Sequence, residues 1–263
     1  MSRTTRTTCI YGLGHFVVLE ALLVLAVYYW PHFLEAIQDS AGTIRILSKA
    51  VPVIDDMIGK IAEGSPEEKA AALYVLLQHF FKGCNAVGSA VAVLFAVGAV
   101  AGEVHRGTFE LLLSRPISRR RYLLERYAGG VLGVLLPVFA TTATIPPLLD
   151  WVDTSVPGHV LALCAVHQAL FLLALYSLAF LISTLASNPW HVAFGFLGFF
   201  LFEFAVYMVE VVTNYSLYRL ADLERYEYVY DQGALEWTYV AGFTLFSAAC
   251  LALSLRAFER RIP

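Results

Sequence analysis

Apolar residues gather along this chain into six long runs, at about 9–30, 74–102, 127–149, 160–185, 190–212 and 236–257, with polar stretches of unequal length between them. A helix needs about 20 apolar residues to cross a hydrocarbon core of ~30 Å, and each run supplies roughly that many. In a bilayer, backbone groups must be satisfied inside the segment, which favours helices over open strands. The pattern therefore predicts an all-α integral membrane protein of six transmembrane helices, with residues 1–263 forming a single domain.

The joints between runs are informative. Residues 1–8 are polar and carry Arg3 and Arg6, like the start of a signal peptide. The apolar run that follows is too long for one and no small-residue cleavage site closes it, so it reads as an anchor. Tyr28, Tyr29 and Trp30 suggest an aromatic belt at its end, with Pro31 as the stop. Residues 31–72 are too polar to span. There Phe33, Ile37, Ile44, Leu47, Val51, Ile54, Ile58 and Ile61 recur at helical spacings, giving an extracytoplasmic amphipathic segment broken near Gly42 and Pro52. That stripe suits packing on its own surface, or a partner. Ser65-Pro66-Glu67-Glu68 reads as a capping box leading into the second run.

Further along, Pro137, Pro146 and Pro147 are expected to kink or end the third span. Ser187-Asn188-Pro189 is a tight turn that sends the fifth span back antiparallel to the fourth. Residues 214–235 are polar and rich in tyrosine and read as an interfacial loop.

Composition agrees with the pattern: the chain is 59% hydrophobic and only 15% charged. Cys9, Cys84, Cys164 and Cys250 lie far apart, with no CxxC or Cys/His spacing, and read as small apolar residues. Eleven of the 18 Lys and Arg fall at the N-terminus, between the second and third spans, and at the C-terminus. The positive-inside rule places both termini and that loop in the cytoplasm of an inner-membrane protein.

The loop, residues 103–126, is the most distinctive polar stretch. It holds Arg106, Arg115, Arg119, Arg120, Arg121 and Arg126 around an apolar knot at Phe109 and Leu111 to Leu113, set between the helix breakers Gly107 and Pro116. An interfacial helix resting on lipid would spread its apolar residues along a continuous face. A plug for a protein cleft would concentrate them between breakers, as here.

The pattern Glu103, Gly107-Thr108, Leu111-Leu112-Leu113-Ser114, Pro116, Ser118-Arg119 and Tyr127 resembles the loop between the second and third spans of ATP-binding-cassette permeases of the type-2, exporter class. The likeness is strong over about 25 residues, and the six-run layout extends it loosely to the whole chain. The long 31–72 segment departs from the pattern. The resemblance implies a permease subunit whose cytoplasmic coupling helix sits in a cleft of a separate ABC ATPase subunit. It implies coupling contacts at Glu103, Arg106, Gly107, Thr108, Phe109, Glu110, Leu111, Leu112, Leu113 and Pro116. Glu103 and Arg106 would lie at the rim, and Thr108 would cap the short helix. It also implies ATP and Mg in the partner, with no cofactor in this chain. Against the interfacial-loop reading, it implies a hairpin at Val211 to Leu223 that dips back into the membrane. Arg119 to Arg121 read as anchors among lipid headgroups.

Two carboxylates, Glu20 and Glu203, fall midway along the first and fifth runs. A charge at the bilayer centre is costly and should face protein or water. Both are candidates for a translocation path or dimer interface, against the alternative of internal pairing. His167 and Gln168 read as internally bonded. The chain contains no GxxxxGK[ST], HExxH or GxSxG, so no nucleotide, zinc-protease or hydrolase site is expected in it. Expected partners are the ATPase, a second copy or a paralogous permease, and membrane lipid, but not nucleic acid. The competing class is a non-transport assembly factor or scaffold whose basic loop binds lipid or a different partner.

Overall fold

The computed structural model describes residues 3–48, 67–108, 118–209 and 211–260. Among the described residues every regular element is helical. Six helices are long and apolar enough to cross a membrane.

The first span belongs to α1, Arg3–Ser48. At 46 residues it is roughly 69 Å long, about twice the hydrocarbon thickness. The expected stop at Pro31 and break near Gly42 do not occur. A proline inside a helix removes one hydrogen bond and crowds the preceding turn. Packing compensates here: the Trp30 and Phe33 rings both lie tilted against Tyr74, with ring centroids 5.0 and 4.7 Å apart, and the Tyr74 hydroxyl donates to the Ala26 carbonyl at 3.1 Å. Trp30 is thus buried in protein, whereas Tyr28 and Tyr29 are exposed as a belt requires. Residues 49–66, including Val51, Ile54, Ile58 and Ile61 of the amphipathic stripe and the Ser65-Pro66 cap, lie outside the described residues.

The second span has three parts: α2, Glu67–Leu76; a π-helix, Leu77–Gly88; and α3, Ser89–Ala99. π-helices are mostly single-turn bulges, and many lie at functional sites. This one is longer and turns His79, Phe80, Cys84 and Asn85 into the core. The helix breaks at Val100, and the amide of Ala101 is satisfied by the Ser183 hydroxyl at 3.1 Å. A short helix, α4, Ala101–His105, follows.

The third span, α5, Arg119–Leu149, runs unbroken through Pro137, Pro146 and Pro147. Pro137 has no N–H for the carbonyl of Gly133 four residues back. The ring of His15 on α1 lies 3.5 Å from that oxygen. Gly133 also permits the close approach: a Cβ there would overlap the Phe95 ring, and a Cβ on Gly12 would lie 3.5 Å from the Gly133 Cα.

Next come α6, Gly158–Leu185, the most enclosed span, and α7, Pro189–Tyr207, whose cap Asn188 accepts from the Trp190 amide at 2.9 Å. The last span is α9, Trp237–Arg260. Between α7 and α9 lie two 3₁₀ turns, Thr213–Tyr215 and Leu217–Ala221, and α8, Leu223–Gln232. This segment packs inside the bundle instead of lying over it as a loop. His167 Nε2 is 2.9 Å from the Leu220 carbonyl, and His167 stands about 14 Å along α6 from its first residue. Asn85 donates to the Ala221 carbonyl at 2.9 Å, Gln168 donates to Asn85 at 2.7 Å, and the Tyr226 hydroxyl donates to Gln168. The π-helix, α6 and the hairpin are knitted together by polar groups that would be costly to leave unpaired in an apolar core.

Candidate functional site at the neck of the arginine loop

The polar loop departs from α4 and returns at α5, and its two ends meet at one carboxylate. Glu103, on α4, is 2% exposed. Its Oε1 accepts from Arg126 Nη2 and from Arg106 Nη2, each at 3.0 Å. Its Oε2 accepts from the Thr108 hydroxyl, and its main-chain oxygen accepts from the Thr108 amide at 3.1 Å. Residues 103 and 126 are far apart in sequence, yet the ion pair closes the loop like a drawstring. Gly107 makes the turn with φ of +66°, a left-handed conformation that a side chain would strain.

Arg126 carries the linkage further. Its guanidinium lies 5.3 Å from the centre of the Tyr122 ring, and Tyr122 stacks on Phe258 of α9 at 6.0 Å. Arg120 pairs with Glu259, and Arg119 Nη1 donates to the Glu259 carbonyl at 3.3 Å. One turn deeper, the Tyr127 hydroxyl lies 2.7 Å from Ser177 Oγ, and Tyr176 donates to the Tyr127 carbonyl at 3.2 Å. The neck therefore touches the second, third, fourth and sixth spans.

Several expectations change. Glu103, expected at the rim, is the buried counter-ion of two arginines. Arg106 keeps about half its side chain in solvent, yet its charge is paired inward. The Thr108 hydroxyl is donated to Glu103. Arg119 and Arg120 hold the end of α9, and Arg121 pairs with Glu125 at 2.9 Å, so the run does more than face headgroups. Phe109, Glu110, Leu111, Leu112, Leu113 and Pro116 lie outside the described residues. Sequence reasoning gave Arg126 no separate role. Its spacing seven residues after Arg119, and so on nearly the same helix face, was the available signal.

The structure does not bring the two membrane carboxylates to a common site. Glu20 accepts from the Thr144 hydroxyl of α5 at 2.9 Å. Glu203 on α7 accepts from the Leu217 amide at 2.6 Å and from Ser216 Oγ at 3.2 Å, capping the second 3₁₀ turn. A carboxylate suits that position because the first amides of a helix lack partners. Close by, burial raises the Asp222 carboxyl from its ordinary value, and Arg219 at 2.8 Å opposes that shift. Among the described residues no group of three His, Cys, Asp or Glu side chains is arranged to hold a metal.

Six membrane-length helices around a largely apolar core define an integral membrane protein. The family comparison makes the class specific. The model described as ABC-2 family transporter protein matches residues 13–261, and the chain belongs to that family. It is a permease component of an ABC transporter, a membrane transport part and not the ATPase itself, in a family that partners an ABC ATPase subunit. No curated protein and no solved structure matches the chain.

Proposed function

We propose that the protein is the permease of an ATP-driven exporter of the inner membrane, with both termini and residues 103–126 in the cytoplasm. A partner ATPase, carrying ATP and Mg, grips the apolar knot at Phe109 and Leu111 to Leu113. Two copies, or this chain and a paralogue, enclose the path between them, with Glu20 and Glu203 on or near it. The basic residues clustered at the termini and the loop support this orientation.

The observation that carries the reading is the Glu103–Arg126 ion pair at 3.0 Å. A loop cinched at its neck cannot move without moving both spans that feed it. Force applied at the knot reaches the second and third spans directly, and the sixth through Tyr122 and Phe258. A neck of this kind is not required of a loop that only rests on lipid.

The direct test is a pull-down of the cognate ATPase by the membrane-inserted protein. Burial of a large apolar side chain contributes roughly 1.5–3 kcal/mol. Phe109→Ala with Leu112→Ala should abolish the capture while insertion stays normal. Full capture and full transport by that variant would favour the lipid-surface reading of the loop.

A further inference from the structure

A cavity of about 930 Å³ lies between α1 and α5, outside the neck and outside the polar core. On α1 it is lined by Thr8, Cys9, Gly12, Leu13 and Phe16, and on α5 by a stripe from Glu125 to Ala140. That stripe is about 22 Å long at 1.5 Å per residue, longer than one leaflet's half of a ~30 Å core. Its middle is apolar and open: Leu13, Leu132 and Leu136 are all exposed along it. Small residues make the space. Gly12 and Gly133 let the two backbones touch, and Gly129 and Ala128 leave the wall between them without bulk.

The end of the groove nearest the arginine loop is charged. Arg6 is exposed and lies on the Cys9–Leu13 face of α1, three and seven residues before them. Arg121 lies one turn before Glu125 on the groove face of α5. Glu125 is the acid among the lining residues, and Arg121 neutralises it through Nε at 2.9 Å. The Arg121 side chain stays about three-quarters exposed. The groove thus joins a slot of acyl-chain length to a basic mouth. This matches an amphiphile with an apolar tail and an anionic head.

We propose that this groove is a binding site for one anionic phospholipid of the leaflet that contains the arginine loop, with the acyl chain along Leu13, Leu132 and Leu136 and the phosphate between Arg6 and Arg121. Basic residues at a membrane surface attract anionic headgroups, each by a factor of about five. An apolar slot open to lipid is filled by the surrounding acyl chains, and the basic mouth selects which lipid fills it. The site does not depend on docking of the ATPase, so it stands or falls separately from the exporter reading.

The test is photo-crosslinking in vesicles. The protein is reconstituted with phosphatidylglycerol carrying a diazirine in one acyl chain, or with the matching phosphatidylcholine, and labelled peptides are mapped by mass spectrometry. Labelling within residues 9–16 and 125–140 should favour phosphatidylglycerol by roughly fivefold or more. Arg6→Gln with Arg121→Gln should bring it down to the phosphatidylcholine level, and Arg121→Lys should restore part of it. Ala128→Leu, which fills the slot, should remove labelling with either lipid while size-exclusion behaviour is unchanged. Equal labelling by the two lipids would overturn the anionic assignment. Absence of groove labelling, with efficient Cys9–Cys9 crosslinking between two copies, would show that protein covers the groove and overturn the proposal as a whole.

Discussion

His15 and Gly133 meet across the α1–α5 interface, with the imidazole Nδ1 3.5 Å from the glycine carbonyl. That carbonyl is the one that Pro137, lacking an N–H, leaves without its helical partner. A histidine buried in the first third of a membrane span thus has a structural task. His15→Ala is expected to destabilise the detergent-solubilised protein by about 1–3 kcal/mol, the range for a buried polar group left unsatisfied. In a Pro137→Ala background, where the helix recovers its own hydrogen bond, the same substitution should cost clearly less. Thermal unfolding of the four proteins in that cycle measures the difference, and equal costs in both backgrounds would show that His15 and Pro137 are independent.

The neck should behave as a buried ion pair. Glu103→Gln leaves Arg126 and Arg106 sharing a neutral oxygen, and removal of one partner of a buried pair costs on the order of 3–5 kcal/mol. Protein that still folds should capture the ATPase, because the apolar knot is intact, but ATP hydrolysis should no longer drive transport. Parallel measurements of capture, ATPase rate and transport check this. Loss of capture alone would place Glu103 at the partner's surface.

Glu203 separates two roles by a change of one atom. Glutamine can still accept from the Leu217 amide through its oxygen, so Glu203→Gln should insert and assemble normally. If the carboxylate lies on the path, substrate-stimulated ATPase activity should change several-fold. Glu20→Gln should do the same more weakly. Wild-type transport by both variants would leave Glu203 as a cap for the 3₁₀ turn and Glu20 as the partner of Thr144 and nothing more.

Topology is checked by single cysteines in a cysteine-less background, probed with a membrane-impermeant maleimide. Positions must be accessible for this: Asp222 is buried, whereas Asp153, Tyr215 and Ser118 are exposed. Intact cells should label Asp153→Cys. Ser118→Cys should react only after permeabilisation. Labelling of Ser118→Cys in intact cells would invert the bundle.

Disrupting the hairpin latch should loosen one segment only. Tyr226→Phe removes the donor to Gln168 and leaves an amide oxygen without it in the core. Hydrogen exchange at residues 213–232 should accelerate about tenfold or more, with α5 and α6 unchanged. Uniform acceleration would mean that the network stabilises the whole bundle instead of latching the hairpin.

The sequence by itself determined the number of spans, because six apolar runs of membrane length have few other uses. It also determined the family-bearing loop, because Glu103, Gly107-Thr108 and Pro116 are local features readable in order along the chain. Tertiary packing decided what periodicity could not express. Pro31 and Pro137 read as stops because local rules count only the lost hydrogen bond, whereas Tyr74 packs on α1 beside Pro31 and His15 lies against the carbonyl that Pro137 frees. The long π-helix has no signature in hydrophobic spacing, and its buried Asn85 makes sense only beside Gln168 and Ala221. The packing of the tyrosine-rich segment was undecidable from tyrosine content, since the same rings suit headgroups or a core, and it is the bonds of Leu220, Ala221 and Tyr226 to α6 and the π-helix that hold it within the bundle. Glu103 was legible as important from the motif, but its direction was not. Whether a carboxylate faces outward to a partner or inward to Arg126 depends on where two distant helix ends meet, and only the folded bundle fixes that.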